Sequence, residues 1–116
     1  MNNSNEELNS RAASIEKLKL RYKQYAINVA VLVTKLSKTP VNNVYINQVI
    51  RCSSSTGANY RAACRAKSKA DFIYKLKIVE EEADESIYFL ELLMFFNQEH
   101  KNEFEPLIKE GSELLQ

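Results

Sequence analysis

A chain of 116 residues is long enough for one hydrophobic core and one domain. Two glycines, two prolines and no tryptophan argue against an all-β chain, which needs many turns. The formal net charge of +1 hides a polarity: residues 11–38 carry seven basic groups against Glu16, residues 48–77 seven against Asp71, and residues 80–113 eleven acids against Lys101 and Lys109. The three segments therefore run +6, +6 and −9, so the fold decides whether they neutralise one another or form separate surfaces. No apolar signal segment follows Met1, and the longest apolar stretch, Tyr25 to Thr34, is too short to span a bilayer. A cytoplasmic protein with no membrane partner is expected.

Residues 1–13 are polar and are expected to be a disordered start, with a four-helix domain over 14–116. From Ser14, apolar residues fall at Ile15, Leu18, Tyr22, Tyr25, Val29, Leu32 and Leu36, a spacing of three and four that predicts a long amphipathic helix. Pro40 limits its extension, and Asn42 or Asn43 is placed to cap the next helix.

The second helix leads into the stretch around which the chain is organised, Gln48 to Phe72. At 100° per residue this stretch sorts into three faces. Ile46, Val49, Ser53, Gly57, Tyr60 and Cys64 would face a core. Arg51, Arg61, Arg65 and Lys69 form a basic stripe, and Cys52, Ser55, Asn59, Ala62, Ala63 and Ala66 a face of small side chains that admits a close neighbour. Cys52 and Cys64 would stand about 18 Å apart along one helix, too far for a disulfide. Ser68 with Asp71 resembles a capping box, which predicts a bend near Lys67.

A further long helix is predicted from Asp71 to Gln98, with Phe72, Leu76, Val79, Ala83, Ile87, Leu90 and Met94 as its core seam and Glu80 to Glu85 on its exposed side. Glu99 to Glu105 reads as a polar link. Pro106 suits the first turn of a short last helix that carries Leu107, Ile108, Leu114 and Leu115. Four helices with short connections predict an all-α, antiparallel up-and-down four-helix bundle.

The run Arg51-Cys-Ser-Ser-Ser55-Thr-Gly57-Ala58-Asn59, with Asp71-Phe72, Leu76-Lys-Ile78 and Ala83-Asp-Glu85 downstream, resembles the four-helix-bundle family first met as the product of intervening sequences in bacterial 23S ribosomal RNA genes. The resemblance covers roughly Tyr22 to Leu115. Two departures stand out: Ala62 and Ala63 replace the Glu-Gly that usually follows the asparagine, and the last helix is short. The resemblance implies an antiparallel bundle that assembles into a homopentameric ring, with RNA or DNA binding as its usual suggestion. It also extends to the accessory variability determinant of diversity-generating retroelements, a basic pentameric barrel, which favours a scaffold over an enzyme.

The chemistry of the residues points the same way. Arg51, Arg61, Arg65 and Lys69, helped by Lys17, Arg21 and Lys67, offer donors suited to phosphate oxygens. No row of exposed aromatics interleaves with them, so base reading is not expected. Ser55, Gly57, Asn59, Ala62 and Glu85 are read as structural or subunit-contact positions, with Glu85 pairing with Arg51. His100 is alone, no second Glu-x-x-His unit accompanies it, and no nucleophile stands beside a base, so neither metal, cofactor nor enzyme activity is expected. The competing reading is a protein-interaction module whose basic surface meets the acidic face of a neighbour.

Overall fold

The computed structural model describes residues 3–115. It contains α1 (Asn3–Val33), α2 (Pro40–Cys64), α3 (Lys69–Phe96), a single 3-10 turn (Gln98–His100) and α4 (Lys101–Leu114), with no strand among the described residues. Each helix packs on its neighbour in the chain, and α4 returns beside α1. The result is an up-and-down four-helix bundle with α1 diagonal to α3 and α2 to α4.

α1 begins well before the expected Ser14. The polar start is helical from Asn3 onwards, and residues 4–17 are all exposed; Met1 and Asn2 lie outside the described residues. Ile15 marks the point where the helix leaves the bundle, because α2 ends opposite it and Ile15 lines a cavity with Tyr60, Ala63 and Cys64. The dozen residues before it extend about 18 Å at 1.5 Å per residue. From Tyr22 to Leu36 the expected seam is buried, and Val33 joins it.

Thr39, and neither Asn42 nor Asn43, caps α2. Its backbone is extended (φ −130°, ψ 158°) and its side chain accepts the Asn42 N–H at 3.0 Å. Threonine supplies the acceptor that α2's first turn lacks, and Pro40 at the first helical position gives up only an N–H that no partner awaits. Asn42 is instead buried against α3. α2 stops at Cys64, so Gln48 to Phe72 is not one helix. The expected restart near Lys67 takes place through Ser68, whose Oγ accepts the Asp71 N–H at 3.1 Å.

The small-residue face of α2 divides. Cys52 and Ala63 are buried inside the bundle, while Ser55, Asn59 and Ala62 are only half-buried on its outer side. Gly57 serves the inside: a Cβ there would lie 3.2 Å from the Tyr22 Cβ, so its missing side chain sets how closely α1 approaches. Along α3, Val79, Ala83 and Leu90 are buried as expected, but Ser86 is fully buried where the seam had Ile87, which is half-buried. The Ser86 hydroxyl reaches across the diagonal to the Tyr25 hydroxyl at 2.7 Å and also donates to the Ala83 carbonyl at 2.7 Å. A serine in the core is tolerated because its hydrogen bonds are made there.

α4 starts at Lys101 rather than beyond a long polar link. Phe104, within that supposed link, is fully buried. Pro106 is the sixth residue of α4, and the carbonyl it fails to serve belongs to the exposed Asn102. With 14 residues against 25 and 28 for α2 and α3, α4 covers only part of the bundle. Beyond its end a cavity of about 590 Å³ opens between α1 and α3, floored by Tyr22, Tyr60, Leu76 and Val79.

Candidate nucleic-acid interface at the corner between α2 and α3

The proposed basic residues fall into two groups. Arg51 and Arg21 are used within the chain. Arg51 Nη1 lies 3.1 Å from a Glu82 oxygen and Nη2 2.8 Å from Glu85, both on α3. Arg21 makes a two-pronged contact with Glu110 (Nε and Nη2, each at 2.7 Å) and reaches Glu113 at 2.8 Å. The hydrogen bond to Glu110 is the largest influence holding the Arg21 guanidinium above its ordinary pKa, with the charges of Glu110 and Glu113 adding to it. Such planar two-bond pairing suits arginine, and it straps the end of α4 to α1.

Arg61, Arg65, Lys67 and Lys69 behave differently. All four are exposed, and among the described residues none has a carboxylate within ion-pair distance. The end of α2 gathers them. Arg61 sits in its last turn, and Arg65 caps it by giving its backbone N–H to Ala62 and Ala63. The Arg65 guanidinium donates to the Arg61 carbonyl at 3.3 Å. Lys67 lies in the link and Lys69 opens α3. The straight helical stripe is therefore replaced by a corner without Arg51. Lys17 is exposed on α1, two residues past Ile15, which lines the same corner.

Sequence reasoning missed the aromatic part of this corner. Phe72, assigned to the core seam, is 40% exposed, and Ile73 and Tyr74 are 46% and 61% exposed. The signal was the unbroken run Phe-Ile-Tyr: three consecutive helical side chains span some 200° and cannot all face one core. Phe72 and Tyr60 line a cavity of about 440 Å³ together with Ile15, Lys67, Ser68 and Lys69. Tyr60 is held by an aromatic contact with Tyr22 at 5.1 Å between ring centres. Burial pushes its hydroxyl up to about 12, so it is neutral at physiological pH. No row of exposed aromatics interleaves with the cations, but two exposed rings, Phe72 and Tyr74, follow Lys67 and Lys69 along the chain.

This bundle matches a known family over most of its length. The family described as 23S rRNA-intervening sequence protein matches residues 18–116. The chain belongs to that family. Among solved structures, a protein of unknown function from the S23 ribosomal protein family of Bacteroides thetaiotaomicron VPI-5482 shares 30% identity, covering 84% of this chain and 91% of its own, with a TM-score of 0.75. No curated protein matches.

The remaining positions of this intervening-sequence family member sort by what they touch. Asn59 donates through Nδ2 to both the carbonyl and the hydroxyl of Ser55, each at 2.9 Å. Ser55, Asn59 and Ala62 are half-buried along α2. Beside it on α3, Glu80, Glu81, Asp84 and Glu91 are exposed. Four of this group and its neighbours, Glu81, Asp84, Glu85 and Glu91, line a groove with Tyr88. Cys52 is fully buried, and burial pushes its thiol up to about 12, which makes it inert. Among the described residues no three His, Cys, Asp or Glu side chains cluster as metal ligands, and no helix is long and apolar enough to cross a membrane.

Proposed function

We propose that this protein is a non-enzymatic, self-associating scaffold that holds the phosphate backbone of RNA or DNA at the corner between α2 and α3. The observation that carries the reading is the set Arg61, Arg65, Lys67 and Lys69, exposed at one end of the bundle with no carboxylate partner among the described residues. Cations left without intrachain partners release counterions when phosphates replace water and salt around them. Lys17 extends the corner onto α1. Arg51 and Arg21, already paired, act as clamps and add little to the interface. The homopentameric ring implied by the resemblance to the 23S intervening-sequence proteins and the retroelement accessory determinant would repeat the corner around an axis, which multiplies weak contacts.

A second reading rests on a separate observation. Glu80, Glu81, Asp84 and Glu91 are exposed on α3 and likewise lack an ion-pair partner among the described residues. One chain thus carries unpaired charges of both signs, and a second copy could join them.

Light scattering on a sizing column, with and without a short RNA or DNA at low and moderate salt, separates the two. The phosphate reading expects complexes whose affinity falls with salt at a logarithmic slope of roughly 0.7 to 0.9 per contact, and a reduced slope for Arg61→Ala/Arg65→Ala. Dissociation of the oligomer by the same substitutions, without nucleic-acid uptake by the parent protein, would favour the charge-pairing module.

A further inference from the structure

Along one short stretch, Lys67-Ser-Lys69-Ala-Asp71-Phe72-Ile-Tyr74, two exposed cations are followed by two exposed aromatic rings. We propose that the groove between Tyr60 and Phe72 takes an unpaired nucleobase, so that the protein prefers single-stranded nucleic acid, with the phosphates flanking that base on Lys67 and Lys69. The proposal rests on the phosphate reading above and adds to it the chemical identity of what enters the groove.

Three features carry it. Tyr60 and Phe72 line both the cavity at the corner, about 440 Å³, and the larger one beyond the end of α4, about 590 Å³. Both volumes lie in the range of small-molecule sites. The two rings thus line a recess on the corner side and another beside the end of α4. Second, the walls differ in freedom: Tyr60 is buried and fixed against Tyr22, whereas Phe72 is 40% exposed and offers an open face. An aromatic face beside unpaired cations is the arrangement on which bases stack irrespective of sequence.

Third, charge selects the occupant. The mouth at the corner is bounded by Lys67 and Lys69, with Arg61 and Arg65 just before them. The one acid in this stretch, Asp71, is turned to Lys75 at 3.7 Å. The separate cavity beyond the end of α4 is lined by Glu80 and Glu113, the latter paired with Arg21. An anionic backbone is thus drawn to the corner and turned away from the far end, which leaves the ring as the part that enters. A paired base inside a duplex presents no free face, so a duplex would meet the cations alone.

The test compares three fluorescent probes of about twelve nucleotides at one salt concentration: a single strand, the matched duplex, and a strand of the same length with abasic sugars. The full chain should bind the base-bearing strand about tenfold more tightly than the abasic one, in line with stacking of one base. Phe72→Leu, which keeps apolar volume but removes the ring, should erase that margin while leaving abasic affinity unchanged; Phe72→Tyr should restore it. Equal affinity for base-bearing and abasic strands, both weakened by Arg61→Ala/Arg65→Ala, would remove the groove and leave the phosphate corner standing. If none of the probes binds, the phosphate reading falls and takes the groove with it.

Discussion

Asn42 and Asn97 exchange two side-chain hydrogen bonds in the interior of the bundle. The Asn42 amide nitrogen lies 3.0 Å from the Asn97 oxygen, and the Asn97 nitrogen 2.9 Å from the Asn42 oxygen. Each amide spends its second N–H on the backbone, Asn42 on Ser37 at 2.9 Å and Asn97 on Leu93 at 2.7 Å. Both residues are at least 97% buried. The pair therefore ties the start of α2 to the end of α3 and to the link that precedes α2. Replacing either asparagine by Ala should cost about 1–3 kcal/mol, since it leaves the other amide buried with a bond unmade. Urea unfolding of both single variants and the double variant checks this, and the double variant should cost less than the two singles together.

Gly111 in α4 sits where any side chain would collide. A Cβ there would lie 2.7 Å from the Tyr25 hydroxyl oxygen and 2.9 Å from Ile87 Cγ1. Gly111→Ala gains about 1 kcal/mol of helix propensity, but overpacking of this kind costs about 1–3 kcal/mol. The net effect should be destabilising. Tyr25→Phe on the same background removes the nearer clash, and it leaves the Ser86 hydroxyl its bond to Ala83. Thermal unfolding should therefore show part of the loss recovered. At Gly57 the corresponding contact is 3.2 Å to the Tyr22 Cβ, so Gly57→Ala should be milder.

Stability should fall in alkali before it would from backbone effects alone. Cys52 and Tyr25, both fully buried, are pushed by burial from ordinary values of 9.0 and 10.0 up to about 12. Between about 9 and 12 the unfolded chain loses these protons while the native chain keeps them, so the native state binds more protons and stability decreases as pH rises. Below pH 9 the contribution of both groups is fully present. Urea midpoints should decline from pH 9 upward, by at most about 1.4 kcal/mol per pH unit for each titrating group. Cys52→Ala should move the onset of the decline toward higher pH.

The two classes of arginine make a functional prediction. Arg51→Ala removes a residue already held by Glu82 and Glu85. It should leave nucleic-acid affinity unchanged within a factor of about two and cost no more than about 1 kcal/mol of stability, as expected for a pair half open to solvent. Arg61→Ala/Arg65→Ala should do the reverse: unfolding unchanged, affinity reduced and the salt slope lowered by about one to two. Anisotropy titrations across a salt series, run beside urea unfolding, distinguish these outcomes.

The number and order of the helices, the α1 seam from Tyr22 to Leu36 and the bend near Lys67 were legible in the residues because they are local matters: spacing of three and four, a cap, a proline. The seam of α3 was legible only in part. Ser86 looks wrong for a core until Tyr25 is placed across the diagonal to receive it, and Phe72 looks right for one until α4 is found to end short of it. Asn42 was read as a cap from its place in the chain, yet its partner Asn97 lies 55 positions away, a distance no local pattern spans. The basic residues show the same division. Their number and signs belong to the sequence by itself. Which of them would be neutralised by Glu82, Glu85, Glu110 and Glu113, and which would be left exposed at one corner beside two aromatic rings, depended on which helices became neighbours, because charge pairing acts through space over a few ångströms and is blind to order along the chain.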